Sequence, residues 1–330
     1  MKISVVMTTY NGEKYIYEQM KSIYEQTRQA DEVIICDDCS VDRTAEIIRG
    51  FIGRYRLKHW KLIVNTQNKG WRRNFIEAIG MSSGTHIFFS DQDDVWYIDK
   101  IDIMMKCMER DPKIQCLSGR MVTIDKDGEV FEGKNAFSAG SGSEALIEYP
   151  CSENFNTITL LGCTMCISRS LADLVLQINV KEFGHDAQCC RLGVLLDGTY
   201  TLDRPVIKYR LHSGNTSGVV SGVSFGSATL QKRIQDIEKN IVWLEALLKN
   251  ASTERFIDKE KENLVRKTIE FQTLRKIFLK KRSIIPYLKL IRYRKYYAGL
   301  SMYVGDFAYA FHINKISGNV LWRIRNRNRE

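Results

Sequence analysis

The sequence lacks the features of a membrane-spanning or secreted protein. It contains no apolar run of the roughly 18 residues that a spanning helix needs. Its N-terminal segment, MKISVVMTTY, has too short an apolar run for a secretory signal and leads directly into turn residues. We therefore expect a cytoplasmic protein whose nine cysteines are reduced thiols.

Signatures of three common classes of binding site are also absent. No Gly-x-Gly-x-x-Gly and no Gly-x₄-Gly-Lys-Ser/Thr follows a predicted strand, which argues against a dinucleotide-dependent oxidoreductase and a P-loop NTPase. The pairs Cys36-x-x-Cys39 and Cys163-x-x-Cys166 have the spacing of zinc ligands, but no histidine follows at the spacing of a zinc finger. Small buried hydrophobic side chains are the favoured interpretation of these cysteines.

Positive charge is concentrated in the last third of the chain. The formal net charge is +10, yet residues 1–225 hold 26 basic and 29 acidic side chains, whereas 226–330 hold 23 basic and 10 acidic ones. A near-neutral body with a basic extension indicates a folded domain associated with something anionic, such as a membrane surface or nucleic acid.

Short apolar runs alternate with helical patterns over the first hundred residues. The runs are typical of buried parallel strands and cover 3–7, 33–36, 62–64 and 86–90. This alternation predicts an α/β fold with a mostly parallel, Rossmann-like sheet flanked by helices, in which ligands lie beyond the carboxyl ends of the strands. Polar clusters follow three of these strands, at 8–12, 37–40 and 91–94.

The remaining chain has a looser pattern that ends in helices. Strands are predicted at 115–125, 158–168 and 200–212, the last with Pro205 at its edge, and helices at 171–178 and 187–196. A surface loop is expected at 132–153 and a flexible hinge at 213–218. Beyond the hinge, apolar residues at 230, 234, 237, 241, 244 and 248 form a helical stripe.

Three aspartates, Asp91, Asp93 and Asp94, follow the fourth predicted strand. Three carboxylates so close together repel one another unless a cation or a donor-rich ligand neutralises them. Strand alternation places Asp91 and Asp93 on one side, where both could reach the same ion. Oxygen ligands favour Mg²⁺ or Mn²⁺. An acidic turn that caps the following helix is the less favoured alternative.

Two further clusters allow two interpretations each. Asp37 and Asp38 could cap the helix that begins near Asp42, or accept hydrogen bonds from a base or ribose. The segment 68–74 places three cations at the start of a predicted helix, where they could hold a diphosphate or form a solvated basic turn.

Four ordered segments carry a resemblance to a known family. The segments 3–12, 37–44, 68–74 and 91–96, read in this order and spacing, closely resemble those of the family 2 glycosyltransferases. These are inverting enzymes of the GT-A fold. The resemblance is specific over 1–110 and weaker to about 218. Cys39 departs from the usual glycine, a change that a small side chain should tolerate.

The resemblance implies roles for individual residues. Thr8, Tyr10 and Asp38 match positions that hold the nucleotide base, and Arg73 lies in the segment that approaches the phosphates. Asp91 matches the acid near the ribose, and Asp93 matches the metal ligand, with Mn²⁺ or Mg²⁺ as the expected cofactor.

The family places its catalytic base at the start of a later helix, which here corresponds to His185-Asp186. Asp186 could be only an N-cap, and His185 could be the base instead. A helix N-terminus favours an ionised carboxylate that can accept a proton. We therefore predict Asp186 as the base and His185 as a residue that shapes the site.

The segment from Tyr209 to Gly218 resembles the one that closes the site in bacterial members. Arg210 or His212 would then meet the diphosphate or the metal, although His212 could equally be structural. The Gln-x-x-Arg-Trp signature of processive synthases is absent, which favours transfer of a single sugar.

Together these features predict a GT-A domain over 1–225, with a nucleotide-sugar half at 1–110 and an acceptor half at 111–225. Because bacterial members with these motifs include rhamnosyltransferases of surface polysaccharide assembly, the resemblance implies dTDP-rhamnose or a UDP-hexose as the donor. It likewise implies a lipid-linked cell-surface polysaccharide precursor as the acceptor. Residues 226–330 form a helical basic extension, in which 271–330 would bind an anionic membrane surface at the inner face of the cell membrane. A basic helix packed on the domain is the alternative for this extension.

The motifs make nucleic acid an improbable partner. A non-catalytic adaptor that binds membrane or RNA is the alternative function, and the acids at Asp93 and Asp186 argue against it.

Overall fold

The computed structural model describes residues 1–131, 137–178, 180–212 and 230–311. The chain divides into two compact units, which we call the sheet unit and the helical unit. The sheet unit comprises Met1–Cys151 and Thr159–Asn215, and the helical unit comprises Ser152–Ile158 and Thr216–Glu330. The short segment 152–158 therefore belongs with the C-terminal helices, which the sequence pattern did not indicate.

The sheet unit alternates strands and helices as predicted. Its strands are β1 Ile3–Thr9, β2 Glu32–Asp37, β3 Trp60–Val64, β4 His86–Ser90, β5 Val95–Trp96, β6 Cys116–Ile124, β7 Leu146–Glu148, β8 Met165–Ser168 and β9 Thr199–Arg210. Its helices are α1 Ile16–Tyr24, α2 Thr44–Arg54, α3 Trp71–Met81, α4 Lys100–Arg110, α5 Arg169–Ile178 and α6 His185–Leu195.

The nine strands found in the described residues form one sheet. Its order is β3-β2-β1-β4-β8-β6-β9-β5, and β7 also pairs with β9. The first four strands are parallel to one another, whereas β8 is antiparallel to both β4 and β6. Every residue of β1, β2 and β4 is buried, as expected for central strands covered on both faces.

The register brings the carboxyl ends of β2, β1 and β4 together. Thr9 of β1 pairs with Asp37 of β2, and Met7 of β1 pairs with Ser90 of β4. The polar clusters that follow these strands therefore meet at one edge of the sheet, where ligands bind in open α/β sheets.

Two predicted strands differ from the structure. The strand expected at 158–168 is limited to β8, because Gly162–Thr164 forms a 3₁₀ turn whose Cys163 carbonyl accepts a hydrogen bond from Lys100. Pro205 lies inside β9 rather than at its edge, at a bulge where Arg120 pairs with Pro205 and Met121 with Ile207. A bulge tolerates the missing N–H of proline. The predicted hinge at 213–218 lies outside the described residues.

The helical unit contains α7 Leu230–Glu254, α8 Lys259–Lys281, α9 Ile284–Lys289, a 3₁₀ segment at Leu290–Tyr296, and α10 Leu300–Ala310. Apolar side chains of these elements form its core, including Ile237, Phe271, Phe278, Leu290 and Tyr297. The predicted apolar stripe from 230 onward therefore packs on one side of α7. No helix among the described residues is long and apolar enough to cross a bilayer.

A buried ion cluster links three parts of the helical unit. Asp306 of α10 is fully buried and accepts hydrogen bonds from Arg275 of α8, Arg233 of α7 and the Tyr297 hydroxyl. Arg275 is 3% exposed, so the expectation that the basic residues of 271–330 face an anionic surface is wrong for this residue. A buried charge must be paired, and Asp306 supplies the partner that the sequence did not reveal.

Candidate active site

The carboxylate of Asp37 organises the turn after β2. It accepts hydrogen bonds from the Thr9 hydroxyl at 2.9 Å and from the Ser40 backbone N–H at 2.9 Å. Cys39 in this turn has φ +64°, in the left-handed region that favours glycine. The usual glycine of the family is therefore favoured by the left-handed backbone conformation at this position as well as by its small size.

Asp38 is buried, and its hydrogen bonds connect the loop before α3 to this turn. Its carboxylate accepts the backbone N–H groups of Lys69 and Gly70, both at 2.8 Å, and the Asn65 side-chain amide at 3.0 Å. The position predicted to hold a base thus also fixes the segment predicted to approach the phosphates. A carboxylate has roughly four lone-pair sites, so these bonds leave room for one more donor.

Tyr10 lies at the same edge with its ring half exposed. Its backbone N–H and carbonyl are both bonded to the side-chain amide of Gln92, at 2.8 and 3.1 Å. Gly12 makes this close approach possible, because a Cβ there would lie 2.3 Å from the Gln92 amide oxygen. The exposed Tyr10 ring is free to stack on a planar group. Thr8, two residues earlier in β1, is buried.

The aspartates after β4 are brought together, but not by strand alternation. Strand β4 ends at Ser90, so the expectation that alternation aligns Asp91 with Asp93 is wrong. One carboxylate oxygen each of Asp91 and Asp94, together with the Cys163 sulfur, lie within 4.8 Å of one another. Asp93 instead lies 2.8 Å from Nε2 of His212.

Burial and mutual repulsion raise the proton affinity of this cluster. Burial, followed by the charges of Asp93 and Asp186, raises the pKa of Asp91 to about 7. Burial beside Asp93 and Asp91 also raises the pKa of Asp94 well above its ordinary value. The charged cluster is therefore unfavourable without a positive partner.

Lys100 lies beneath these acids and is fully buried. Its Nζ donates to the Cys163 carbonyl at 2.7 Å and lies 3.6 Å from the centre of the Trp96 ring. Burial lowers the pKa of Lys100 to about 7. Its charge therefore compensates only part of the charge of the nearby carboxylates.

The carboxylates fit a hard divalent cation. Oδ2 of Asp94 is buried and has no well-aligned hydrogen-bond partner among the described residues. Burial raises the pKa of the Cys163 thiol well above its ordinary value, which disfavours the thiolate that a soft metal would bind. The oxygen donors that remain suit Mg²⁺ or Mn²⁺ rather than a thiolate-seeking metal.

Asp186 lies in the first turn of α6, next to the positive end of the helix dipole. Its Oδ1 accepts the Ala187 backbone N–H at 2.8 Å, and its charge acts on Asp91. Gly184 leaves space around this carboxylate, because a Cβ there would lie 2.6 Å from Oδ1. The structure thus places Asp186 near the acids that follow β4.

His185 is buried in an aromatic cage beside Asp186. Its ring stacks on Phe75 at 3.9 Å, and Phe89 and Trp71 approach it edge-on. Neither ring nitrogen has a hydrogen-bond partner among the described residues, and burial lowers the pKa of His185 to about 4. A neutral, enclosed ring of this kind is suited to shaping the site.

We expect His185 to make the protein less stable in acid. Below about pH 6.5 the unfolded chain binds a proton at this position, whereas the folded chain does so only near pH 4. The free energy of unfolding should therefore fall by about 2 kcal/mol from this residue between pH 7.5 and pH 5. Denaturant unfolding at pH 7.5 and at pH 5 measures this fall. Between these pH values, the free energy of unfolding of His185→Phe should fall by about 2 kcal/mol less than that of wild type.

The matched control is His59→Gln, since His59 is exposed and should leave the pH dependence unchanged. An identical acid-induced loss in wild type and His185→Phe would show that His185 does not titrate as its burial requires.

Arg210, at the end of β9, is buried among protein acceptors. Its backbone N–H donates to Asp94, and its guanidinium donates to the Asp93 carbonyl and, at 2.5 Å, to Glu18. Its guanidinium also lies 4.7 Å from the centre of the Tyr15 ring. This residue therefore fixes the backbone that carries the acids.

Arg73 is half exposed on α3 and donates to Glu77 at 2.8 Å. Glu77, which is 21% exposed, also accepts from Lys69 at 2.7 Å, so two of the three cations in 68–74 share one acid. An exposed pair of this type is weak, and Arg73 can leave Glu77 at small cost.

Sequence reasoning missed three residues of the site: Glu18, Gln92 and Lys100. Each pairs with a group 63 to 192 positions away in the chain. Only Gln92 had a local signal, because it lies within the acidic cluster. Lys100 and Glu18 look like ordinary charged residues of helix ends.

Comparisons with known proteins show the family and the fold of this chain. The family described as "Glycosyl transferase family 2" matches residues 4–172. The dTDP-rhamnosyl transferase RfbG of Shigella flexneri is 39% identical over 234 residues, covering 66% of this chain and 75% of RfbG. The glucosyltransferase WfgD of Escherichia coli, named for its alpha-D-GlcNAc-diphosphoundecaprenol acceptor, is 31% identical over 106 residues, or 32% of this chain and 40% of WfgD.

A poly(ribitol-phosphate) beta-N-acetylglucosaminyltransferase, TarS of Staphylococcus aureus, is 38% identical over 102 residues, covering 30% of this chain but only 17% of TarS. The crystal structure of TarS residues 1–349 in complex with UDP-GlcNAc covers 94% of this chain and 81% of that chain, with a TM-score of 0.58 at 19% identity. This likeness confirms the predicted GT-A fold. With the family match and the RfbG alignment, it shows that the chain belongs to the family 2 glycosyltransferases.

Proposed function

We propose that this chain transfers a single sugar from a nucleotide-sugar donor to an acceptor hydroxyl, with inversion at the anomeric carbon. The observation that carries the proposal is the meeting of the Asp38 turn, the acids after β4 and the Asp186 helix end at one edge of the sheet. A base-binding turn, a charged centre and a proton acceptor are the three parts that this reaction needs.

The donor nucleotide would bind along the ends of β1 and β2. The exposed Tyr10 ring would stack on the base, Asp38 would accept a hydrogen bond from it, and Thr8 would line the floor. Asp91 would accept from the ribose. Arg73 would leave Glu77 and pair with a phosphate oxygen, because an arginine makes stronger, bidentate bonds with phosphate.

Asp186 would act as the general base. Its carboxylate takes the proton of the acceptor hydroxyl as that oxygen bonds to the anomeric carbon. The bond from this carbon to the phosphate oxygen breaks on the opposite face, and its electron pair leaves with the nucleoside diphosphate. The first turn of α6 places this carboxylate at the positive end of the helix dipole.

A divalent cation would be held by Asp93, with Asp91 and His212 nearby, and would neutralise charge on the leaving diphosphate when bound. His212 already contacts Asp93, and Arg210 holds the Asp93 backbone. Contact between Arg210 and the diphosphate, which we also predict, would require its bond to Glu18 to open.

The donor is proposed as dTDP-rhamnose first and a UDP-hexose second. RfbG, the relative with the longest of the alignments described above, is named for dTDP-rhamnosyl transfer, whereas WfgD is named for UDP-Glc. Uracil and thymine offer nearly the same hydrogen-bonding edge to a residue such as Asp38.

The acceptor is proposed to be a lipid-linked precursor of a surface polysaccharide, as the name of WfgD states for that enzyme. The chain would then work at the inner face of the cell membrane, held there by basic residues within 271–330.

Nucleoside diphosphate binding gives a direct test of the donor site. In the presence of Mn²⁺, UDP or dTDP at about 100 times its Kd should stabilise the folded chain by about 2.7 kcal/mol. A thermal melt would show this as a higher Tm, and EDTA should reduce the shift. Stabilisation by NAD or NADP instead, with none by nucleoside diphosphates, would overturn the proposal in favour of an oxidoreductase.

A further inference from the structure

Four large aliphatic side chains are exposed along one short stretch of the helical unit. Ile284, Ile285 and Leu288 of α9 are 52, 63 and 54% exposed, and Ile291 of the following 3₁₀ segment is 51% exposed. Their spacing of one, three and three residues places them on one side of the helix. We call this group the 284–291 face.

The residues between those of the 284–291 face pack into the helical unit. Tyr287 stacks on Tyr303 at 4.5 Å and contacts Phe278 at 4.8 Å, while Leu290 is fully buried in the core of the helical unit. The exposed side is therefore the outer surface of a packed segment rather than a frayed end. Grouped, exposed aliphatic side chains of this kind mark a surface that meets an apolar partner.

Cations surround the 284–291 face. Lys281, Arg282, Lys289, Arg292 and Arg294 are all exposed, and none of them forms an ion pair with a described residue. No aspartate or glutamate occurs anywhere in 281–300. The neighbouring Lys280 and Lys295, by contrast, pair with Glu238 and Glu153. Aliphatic side chains bordered by unpaired cations complement a bilayer whose headgroups are anionic.

We propose that the 284–291 face inserts into the headgroup region of an anionic membrane, with the five cations bound to lipid phosphates. This narrows the membrane association proposed above from 271–330 to one defined surface. It also explains why Arg275 takes no part, since that residue belongs to the buried Asp306 cluster. The inference rests on the proposed membrane location but not on the transfer chemistry.

Vesicle flotation of the full chain tests the inference. Wild type should float with vesicles of phosphatidylcholine and phosphatidylglycerol, and much less with phosphatidylcholine alone. Ile285→Asp combined with Leu288→Asp, and separately Arg282→Glu combined with Lys289→Glu, should each weaken binding by about tenfold or more. Added salt should weaken wild-type binding as well, because it screens the cations.

The matched control is Val242→Asp, since Val242 is 54% exposed on α7 outside the 284–291 face. This variant should bind vesicles as wild type does, and thermal melts should show all variants folded. Absent binding of wild type to anionic vesicles would overturn the inference, as would equal binding by the folded double variants. Asp186→Asn should bind vesicles normally, so a failure of the transfer mechanism is distinguishable from a failure of this inference.

Discussion

Asp186→Asn is expected to lower kcat for sugar transfer by about 10²–10⁴, the usual contribution of a general base. The amide is nearly the same size but cannot accept the acceptor proton. The KM for the nucleotide sugar should change little, because the proposed role of Asp186 is to take a proton from the acceptor. Steady-state release of nucleoside diphosphate in the presence of acceptor measures both constants.

The fold should survive this substitution. Asp186 makes one local hydrogen bond, to the Ala187 N–H, and its charge at the helix start contributes about 0.3–1 kcal/mol. The control is Asp173→Asn on α5, where the carboxylate is 61% exposed and pairs with Arg169. A purified, folded Asp186→Asn variant with wild-type kcat would remove this residue from the role of base.

Asp93→Ala is expected to reduce transfer by about 10²–10³, the effect of losing one electrostatic partner of the leaving group. The loss should come with a higher Mn²⁺ concentration for half-maximal rate, because Asp93 is the proposed metal ligand. Removing the carboxylate also leaves His212 without its contact at 2.8 Å. Titration of the rate with Mn²⁺ separates a metal defect from general damage to the site.

Asp127→Ala is the control for Asp93→Ala, since Asp127 is exposed in a turn and pairs with Lys126. It should keep wild-type activity and Mn²⁺ dependence. An Asp93→Ala enzyme with an unchanged rate and unchanged Mn²⁺ dependence would contradict the assignment of Asp93. The intermediate substitution Asp93→Asn should retain more of the contact with His212 and lose less activity.

The sheet was predictable because its central strands are short apolar runs followed by polar clusters. Residues 86–90 and 91–94 illustrate the pattern, in which a fully buried strand ends where the acids begin. Local sequence was enough here, since a strand buried on both faces needs nearly continuous apolar residues. The family motifs then indicated which cluster would serve which part of the reaction.

Two of the errors have a different cause, which is pairing between distant residues. Cys163 lies in an apolar run, but its carbonyl bonds to Lys100, 63 positions away, and the predicted strand is shortened there. The sequence presents Arg275 as one cation among several, but in the fold it donates to Asp306 of α10. The partner of a charged side chain depends on the tertiary fold, and neither periodicity nor composition reports it.

The resemblance and the structure also indicate different roles for Arg210. Its motif indicates a ligand of the diphosphate, whereas the structure gives its guanidinium protein partners that include Glu18. Buried guanidinium groups need such partners whether or not a substrate is bound. The sequence alone could not distinguish a residue that touches the substrate from one that positions its neighbours.

The most direct measurement is the release of nucleoside diphosphate by the purified full chain with Mn²⁺ across a panel of nucleotide sugars. We expect release from dTDP-rhamnose or from a UDP-hexose, stimulated by a suitable acceptor, abolished by EDTA and reduced by Asp186→Asn to the extent given above. No release from any nucleotide sugar, together with no stabilisation by nucleoside diphosphates, would contradict the account and favour a non-catalytic adaptor that uses this fold only for binding.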